Sequence, residues 1–73
     1  MQHDTDRIHV LTFCGQCDCG CPELFLEPHA PEERRVVITD DFGQRIQMSL
    51  DQLHAIVTSA KSGALDEALL AAR

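Results

Sequence analysis

The feature that most restricts how this chain can fold is a run of four cysteines within eight residues: Cys14, Cys17, Cys19 and Cys21. The glycines at 15 and 20 allow sharp turns inside the run, because a residue without a Cβ reaches positive φ at little steric cost. A loop that turns this tightly can place several sulfurs around one ion, and thiolates are good ligands for zinc and softer metals. We call residues 14–21 the cysteine loop and predict that its four sulfurs bind a metal.

A chain of this size is expected to need an additional stabilising site of this kind. Seventy-three residues form one small domain, and a core of that size contributes only about 3–5 kcal/mol without a disulfide, a metal or a second subunit. The formal net charge of -6 argues against direct binding to nucleic acid or to an anionic membrane, because both need a basic face.

The sequence also predicts a compartment. Residues 1–6 are polar and acidic, with no apolar segment typical of a signal peptide. No apolar run approaches the ~20 residues that span a bilayer. We therefore expect a cytoplasmic protein that does not enter the membrane, and in the cytosol clustered cysteines stay reduced and bind metals.

Four states of the cysteine loop remain open, and a single structural zinc is favoured. An iron–sulfur centre, a Cu(I)–thiolate site and a metal-free loop are the alternatives. The metal-free loop includes disulfides. The one-residue spacings strain Cys17–Cys19 and Cys19–Cys21 bonds, which leaves the C-x2-C pair and longer pairings.

Two histidines are possible substitute ligands. His9 lies in a predicted strand before the loop, and His29 lies after it between two prolines. Either could replace one cysteine, although an ordinary solvated or partly buried histidine is the favoured interpretation of each. No nucleophile with a base beside it is evident, so we do not expect an enzyme.

The remaining sequence predicts an α+β fold, a small antiparallel four-stranded sheet followed by one or two C-terminal helices. Residues 1–6 are expected to be a flexible arm, and residues 7–73 a single domain whose cysteine loop joins strands one and two. The predicted strands are 7–13, 23–27, 34–40 and 45–50, with a hairpin loop between the last two. Ser49 and Gln52 form a capping-box pattern at the start of the first helix, and Gly63 follows its predicted end.

The sequence of the C-terminal segment predicts a surface that contacts either its own sheet or a second subunit. Leu65, Leu69 and Leu70 give it one apolar side, and a helix this short is marginal in water unless it packs on something. It either covers its own sheet or pairs with a second subunit. We favour a homodimer with these three leucines at the interface.

Four segments of the chain, 21–26, 36–40, 46–53 and 60–66, together resemble the small actinobacterial BldB-type family. The resemblance covers residues 21–66 and implies a β-rich regulator that self-associates and works with helix-turn-helix transcription regulators. Two features depart from the family: the helix has no tryptophan, and the family lacks the cysteine loop.

Together these observations predict a small cytoplasmic zinc protein with a regulatory or adaptor role exerted through protein contact, with a transcription regulator as the candidate partner. The alternative is a metal-handling or electron-transfer protein in which a Cu(I)–thiolate or iron–sulfur centre in the cysteine loop is itself the function.

Overall fold

The computed structural model describes residues 7–15 and 21–73. The predicted 1–6 arm lies outside those ranges. Along the chain the elements are β1 (Ile8–Thr12), β2 (Glu23–Leu26), a 3-10 turn (Glu32–Arg34), β3 (Val36–Thr39), β4 (Arg45–Met48), α1 (Leu50–Ser62) and α2 (Ala64–Ala72). The four strands form one antiparallel sheet in the order β1-β2-β3-β4, so the predicted α+β layout is confirmed.

The third strand begins later than its sequence pattern suggests. Arg34 was expected at its start, but its amide donates to the Pro31 carbonyl at 2.8 Å and closes the 3-10 turn. Pro31 favours this turn because its ring holds φ at -55°. The strand then starts at Val36, and the sheet gains a short turn beside β4.

Strand register divides the sheet into an apolar face and a mixed face. Directly paired residues share a face, so the pairing places eight apolar side chains together. This apolar face consists of Ile8, Leu11, Leu24, Leu26, Val36, Ile38, Ile46 and Met48. A bulge between His9 and Leu11 keeps both ends of β1 in this alternation.

The core at the centre of this sheet is small. Among the described residues, only Leu24, Val36 and Val37 are buried. Val36 lies on the apolar face and Val37 on the mixed face. Across residues 50–72, all of them described, neither helix contains a buried residue. Much of the apolar surface of the single chain is therefore exposed to solvent.

The helices begin and end where the sequence predicts. Ser49 Oγ accepts from the Gln52 amide at 3.1 Å, and Gln52 Oε1 accepts from the Ser49 amide at 2.9 Å. This reciprocal pair is a capping box. Gly63 ends α1 with φ at +92° and is also the residue before α2. The C-terminal segment is thus a second helix rather than a continuation of the first.

None of the helices within the described ranges has the length and apolar character that a membrane span requires.

Candidate functional site: the cysteine loop and its hairpin

The β1–β2 hairpin brings the two ends of the cysteine loop together. Thr12 pairs with Glu23, and one step further the Phe13 amide donates to the Pro22 carbonyl at 2.8 Å. The next opposed residues are Cys14 and Cys21, which are joined by a disulfide with their Cα atoms 5.2 Å apart. The antiparallel ladder therefore positions these two cysteines.

This disulfide belongs to the metal-free alternative, and it is one of the longer pairings that the spacing permits. A sulfur in a disulfide is not a thiolate, so Cys14 and Cys21 can bind a metal only after reduction. Cys17 and Cys19 lie outside the described residues. Of the four cysteines in the predicted metal site, the structure therefore describes Cys14 and Cys21.

The reduced ends of the loop fit half of a zinc site. With Zn–S bonds of about 2.3 Å, two sulfurs on a tetrahedral ion are roughly 3.8 Å apart. Two cysteines with Cα atoms 5.2 Å apart can reach that separation by side-chain rotation alone. In residues 7–15 and 21–73, no three His, Cys, Asp or Glu side chains come together in a metal-binding group. The remaining ligands of the predicted site would come from Cys17 and Cys19.

His9 is held on the mixed face of the hairpin. Its Nε2 lies 2.9 Å from Thr12 Oγ1 and 3.8 Å from Glu23 Oε2. Its ring meets the Phe25 ring edge-on, with centroids 5.4 Å apart. These contacts explain His9 as part of the packing of the hairpin, and its role as a substitute metal ligand stays a prediction.

His29 lies at the opposite end of the sheet from the cysteine loop. In an antiparallel meander, the β1–β2 and β2–β3 connections lie at opposite ends of β2. His29 belongs to the second connection, in a turn just after Leu26. The four-residue strand between this turn and Cys21 spans about 10 Å, and the role of His29 as a substitute metal ligand stays a prediction.

An ion pair that sequence reasoning missed fastens the other end of the hairpin. Arg7 Nη2 and Nε donate to Glu27 Oε2 at 2.8 and 3.0 Å. The same guanidinium lies 4.6 Å from the centroid of the Phe25 ring, at cation–π distance. These residues are up to 20 positions apart in sequence, so no local pattern could have revealed the contact. The hairpin is thus fixed at one end by the Arg7 contacts and at the other by Cys14–Cys21.

The β3–β4 connection is a second structured feature. Asp40 Oδ1 accepts from the amides of Gln44 at 2.8 Å and Phe42 at 2.9 Å. These two hydrogen bonds, that from Gln44 first, lower the pKa of the Asp40 carboxyl because they favour its charged form. Gly43 adopts φ of +86°, as the hairpin pattern predicted. The loop therefore presents Phe42 outward from a fixed backbone.

Beside this connection lies an open depression of about 320 Å³. Its apolar lining is Pro22, Ile38 and Ile46, and its polar rim is Thr39, Asp40, Gln44 and Arg45. The residues that line the depression come from three separate segments of the chain. The sequence alone does not predict the depression, because the strand register brings these segments together.

The three leucines of the predicted dimer surface lie on α2. Leu65, Leu69 and Leu70 are 42, 53 and 73% exposed in the single chain. They are available for contact with another molecule.

No family model, curated protein or solved structure matches this chain.

Proposed function

We propose that this chain is a small, non-enzymatic zinc-binding protein that acts by contact with other proteins. The observation that carries the proposal is the closure of the β1–β2 hairpin on Cys14 and Cys21. Four cysteines on one short loop, with its ends already adjacent, are suited to one tetrahedral ion when the thiols are reduced.

In this proposal, zinc stabilises a fold that has little core. Three buried apolar residues in the described part of the chain leave the sheet dependent on a cross-link at the end of β1 and β2. The Cys14–Cys21 disulfide and the metal are alternative forms of that cross-link. A reducing cytoplasm would favour the metal form, because glutathione and thioredoxin keep thiols reduced there.

In its contacts with other proteins, the chain acts as a regulator or an adaptor in this proposal. The exposed leucines of α2 support it, since they give a protein partner an apolar surface. The BldB-type resemblance points to a transcription regulator as that partner. Self-association through Leu65, Leu69 and Leu70 remains the prediction of the sequence.

Stability measurements on the reduced protein test the zinc proposal. Zinc should raise the free energy of unfolding, by about 2.7 kcal/mol when free zinc is 100 times the dissociation constant. Cys17→Ser and Cys19→Ser should each abolish most of this increase, because binding energy is also folding energy here. Chemical denaturation with zinc and with a chelator measures the effect.

His29→Ala is the matched control, because it removes a possible ligand at the far end of the sheet. It should respond to zinc as the wild type does. Lower pH should weaken zinc binding, because thiols must lose protons to become ligands. An unfolding midpoint that is the same with zinc and with chelator, in wild type and cysteine variants alike, would refute a structural metal.

The metal-handling alternative rests on the C-x-C spacing of Cys17, Cys19 and Cys21, which is typical of thiolate clusters that bind several soft ions. Two or more copper equivalents per chain would favour it. A brown protein that absorbs visible light would favour an iron–sulfur centre, since zinc and Cu(I) sites are colourless.

A further inference from the structure

We propose that the cysteine loop is a redox switch, in which a peroxide oxidises Cys14 and Cys21 to a disulfide and the loss of these two ligands releases the zinc. A dithiol reductant reverses the reaction. The inference concerns the regulation of the proposed metal site, so it rests on the proposed function. It assigns the disulfide of the structure to the oxidised, metal-free state of the same protein.

The backbone of the β1–β2 hairpin positions the two sulfurs that react. Phe13 and Pro22 oppose each other, and the Phe13 amide donates to the Pro22 carbonyl at 2.8 Å. The next opposed pair, Cys14 and Cys21, takes a non-hydrogen-bonded position, where the side chains of an antiparallel ladder are closest. Their Cα separation of 5.2 Å lies within the range of about 4.4–6.8 Å that is usual for disulfides.

The same backbone serves the reduced and the oxidised state. Side-chain rotation alone takes the sulfurs of Cys14 and Cys21 from a disulfide to the separation of roughly 3.8 Å that a tetrahedral zinc requires. At the other end of the hairpin, the ion pair between Arg7 and Glu27, with N···O at 2.8 Å, involves neither cysteine. The switch therefore changes the metal ligands and keeps the pairing of β1 with β2.

An oxidant can reach this pair from solvent. Cys14 is exposed and Cys21 is half-buried, and the oxidation of cysteine follows solvent exposure and thiolate character. Zinc ligands are deprotonated, and the thiolate is the nucleophilic form of the side chain. Cys14 is therefore the sulfur that we expect to react first, with Cys21 beside it to form the disulfide.

The oxidation balances with one hydrogen peroxide for each disulfide. The Cys14 thiolate attacks one peroxide oxygen, so that an S–O bond forms, the O–O bond breaks and hydroxide leaves. The Cys21 thiolate then attacks the Cys14 sulfur, so that the S–S bond forms, the S–O bond breaks and a second hydroxide leaves. The two sulfurs lose two electrons, which reduce the peroxide. Reversal consumes a dithiol, whose own sulfurs form a disulfide as Cys14 and Cys21 are reduced.

Zinc release follows from the ligands that remain. Structural zinc sites are almost always four-coordinate, and a sulfur in a disulfide is no longer a thiolate ligand. Cys17 and Cys19 would supply only half of the set. The disulfide keeps a cross-link between β1 and β2, which matters because only three side chains are buried in the described part of the chain. The oxidised protein is therefore metal-free and still folded.

Treatment of the reduced, zinc-loaded full chain with hydrogen peroxide tests the switch. A colorimetric indicator should detect one zinc released per chain, and thiol counting in denaturant should fall from four thiols to two. Dithiothreitol and added zinc should restore both values. Circular dichroism should be the same before and after oxidation. The oxidised protein should unfold at a higher urea concentration than reduced protein stripped of zinc by a chelator, because the disulfide restricts the unfolded chain.

The position of the disulfide is mapped by cleavage before Asp18, which separates the first two cysteines of the loop from the last two. When free thiols are alkylated first, a Cys14–Cys21 disulfide should link the two fragments, with the label on Cys17 and Cys19. The matched variant combines Cys17→Ser with Cys19→Ser and retains only the proposed pair. Peroxide should form the same disulfide in it, because the strand ladder positions that pair.

Several results would overturn the switch while leaving the zinc proposal intact. They are zinc that stays bound after the Cys14–Cys21 disulfide has formed, zinc release with a different disulfide, thiols that resist peroxide, and zinc that does not return after reduction. A matched variant that fails to form the disulfide would also overturn it. Reduced protein that holds no zinc at the start would refute the proposed function, and the switch with it. Zinc content before the oxidant is added therefore distinguishes the two failures.

Discussion

Asp40 shows how one side chain can define a connection. The sequence predicted a polar hairpin loop with glycine in the left-handed region, and Gly43 confirms that part. The two hydrogen bonds to Asp40 Oδ1 were not predictable, because asparagine, serine or aspartate can all occupy turns and Asp41 is an equally good candidate by type. Similarly, the sequence identifies Cys14 and Cys21 as chemically important, but the strand ladder decides that they lie opposite each other.

Asp40 should make stability depend on acidic pH. Its pKa is lower in the folded protein than its ordinary value of 3.8, because the Gln44 and Phe42 amides stabilise the carboxylate. A depressed folded pKa contributes stability above the unfolded value, and that contribution is lost as the pH falls through the folded pKa. Denaturant midpoints should therefore fall less between pH 5 and pH 2 (roughly the span of a carboxyl titration) for Asp40→Asn than for the wild type.

Asp41→Asn is the control for that experiment. It removes one carboxylate from the same loop and leaves both hydrogen bonds to Asp40 in place. Its midpoints should follow those of the wild type. Identical pH profiles for Asp40→Asn and the wild type would show that the bonds to Asp40 do not contribute to folding.

Among the elements, the helices were the most predictable from sequence and the boundaries of the strands were less so. Ser49, Gln52 and Gly63 act within a few residues of their own positions, so their pattern can be recognised without knowledge of the fold. The 3-10 turn before β3 was missed because a strand pattern and the turn overlap at Arg34. The φ that the Pro31 ring fixes and the hydrogen bond from the Arg34 amide to the Pro31 carbonyl favour the turn.

The cap of α1 gives a second stability prediction. Ser49→Ala removes the acceptor for the Gln52 amide and should lower the free energy of unfolding by about 0.5–2 kcal/mol. Urea denaturation of the reduced protein measures this loss. Thr58→Ala is the control, because Thr58 is exposed within α1 and alanine there raises helix propensity by a few tenths of a kcal/mol. If Ser49→Ala were as stable as Thr58→Ala, the capping box would contribute nothing.

For the molecule as a whole, the sequence predicted both the layout and the shortage of core. The alternation in 45–50 and the apolar run in 36–38 gave the sheet, and the length of the chain indicated that a cross-link or a partner was needed. The depression beside Phe42 was beyond sequence reasoning, because Pro22, Ile38 and Ile46 meet only after two antiparallel pairings, β2 with β3 and β3 with β4, are set. The same is true of the Arg7 contacts with Glu27 and Phe25.

Because only three side chains are buried in the described part of the chain, we expect the fold to depend on what joins the start of β2 to the end of β1. In the reduced protein, we propose that this link is zinc held by Cys14, Cys17, Cys19 and Cys21. Loss of the metal should then loosen the hairpin and expose Leu24, the buried leucine of β2.

Elemental analysis with thiol counting, on reduced protein purified without added metal, addresses the zinc proposal directly. We expect one zinc per chain, with the four thiols slow to react until a chelator or a denaturant is added. Well under half an equivalent of any transition metal, with all four thiols freely reactive, would contradict it.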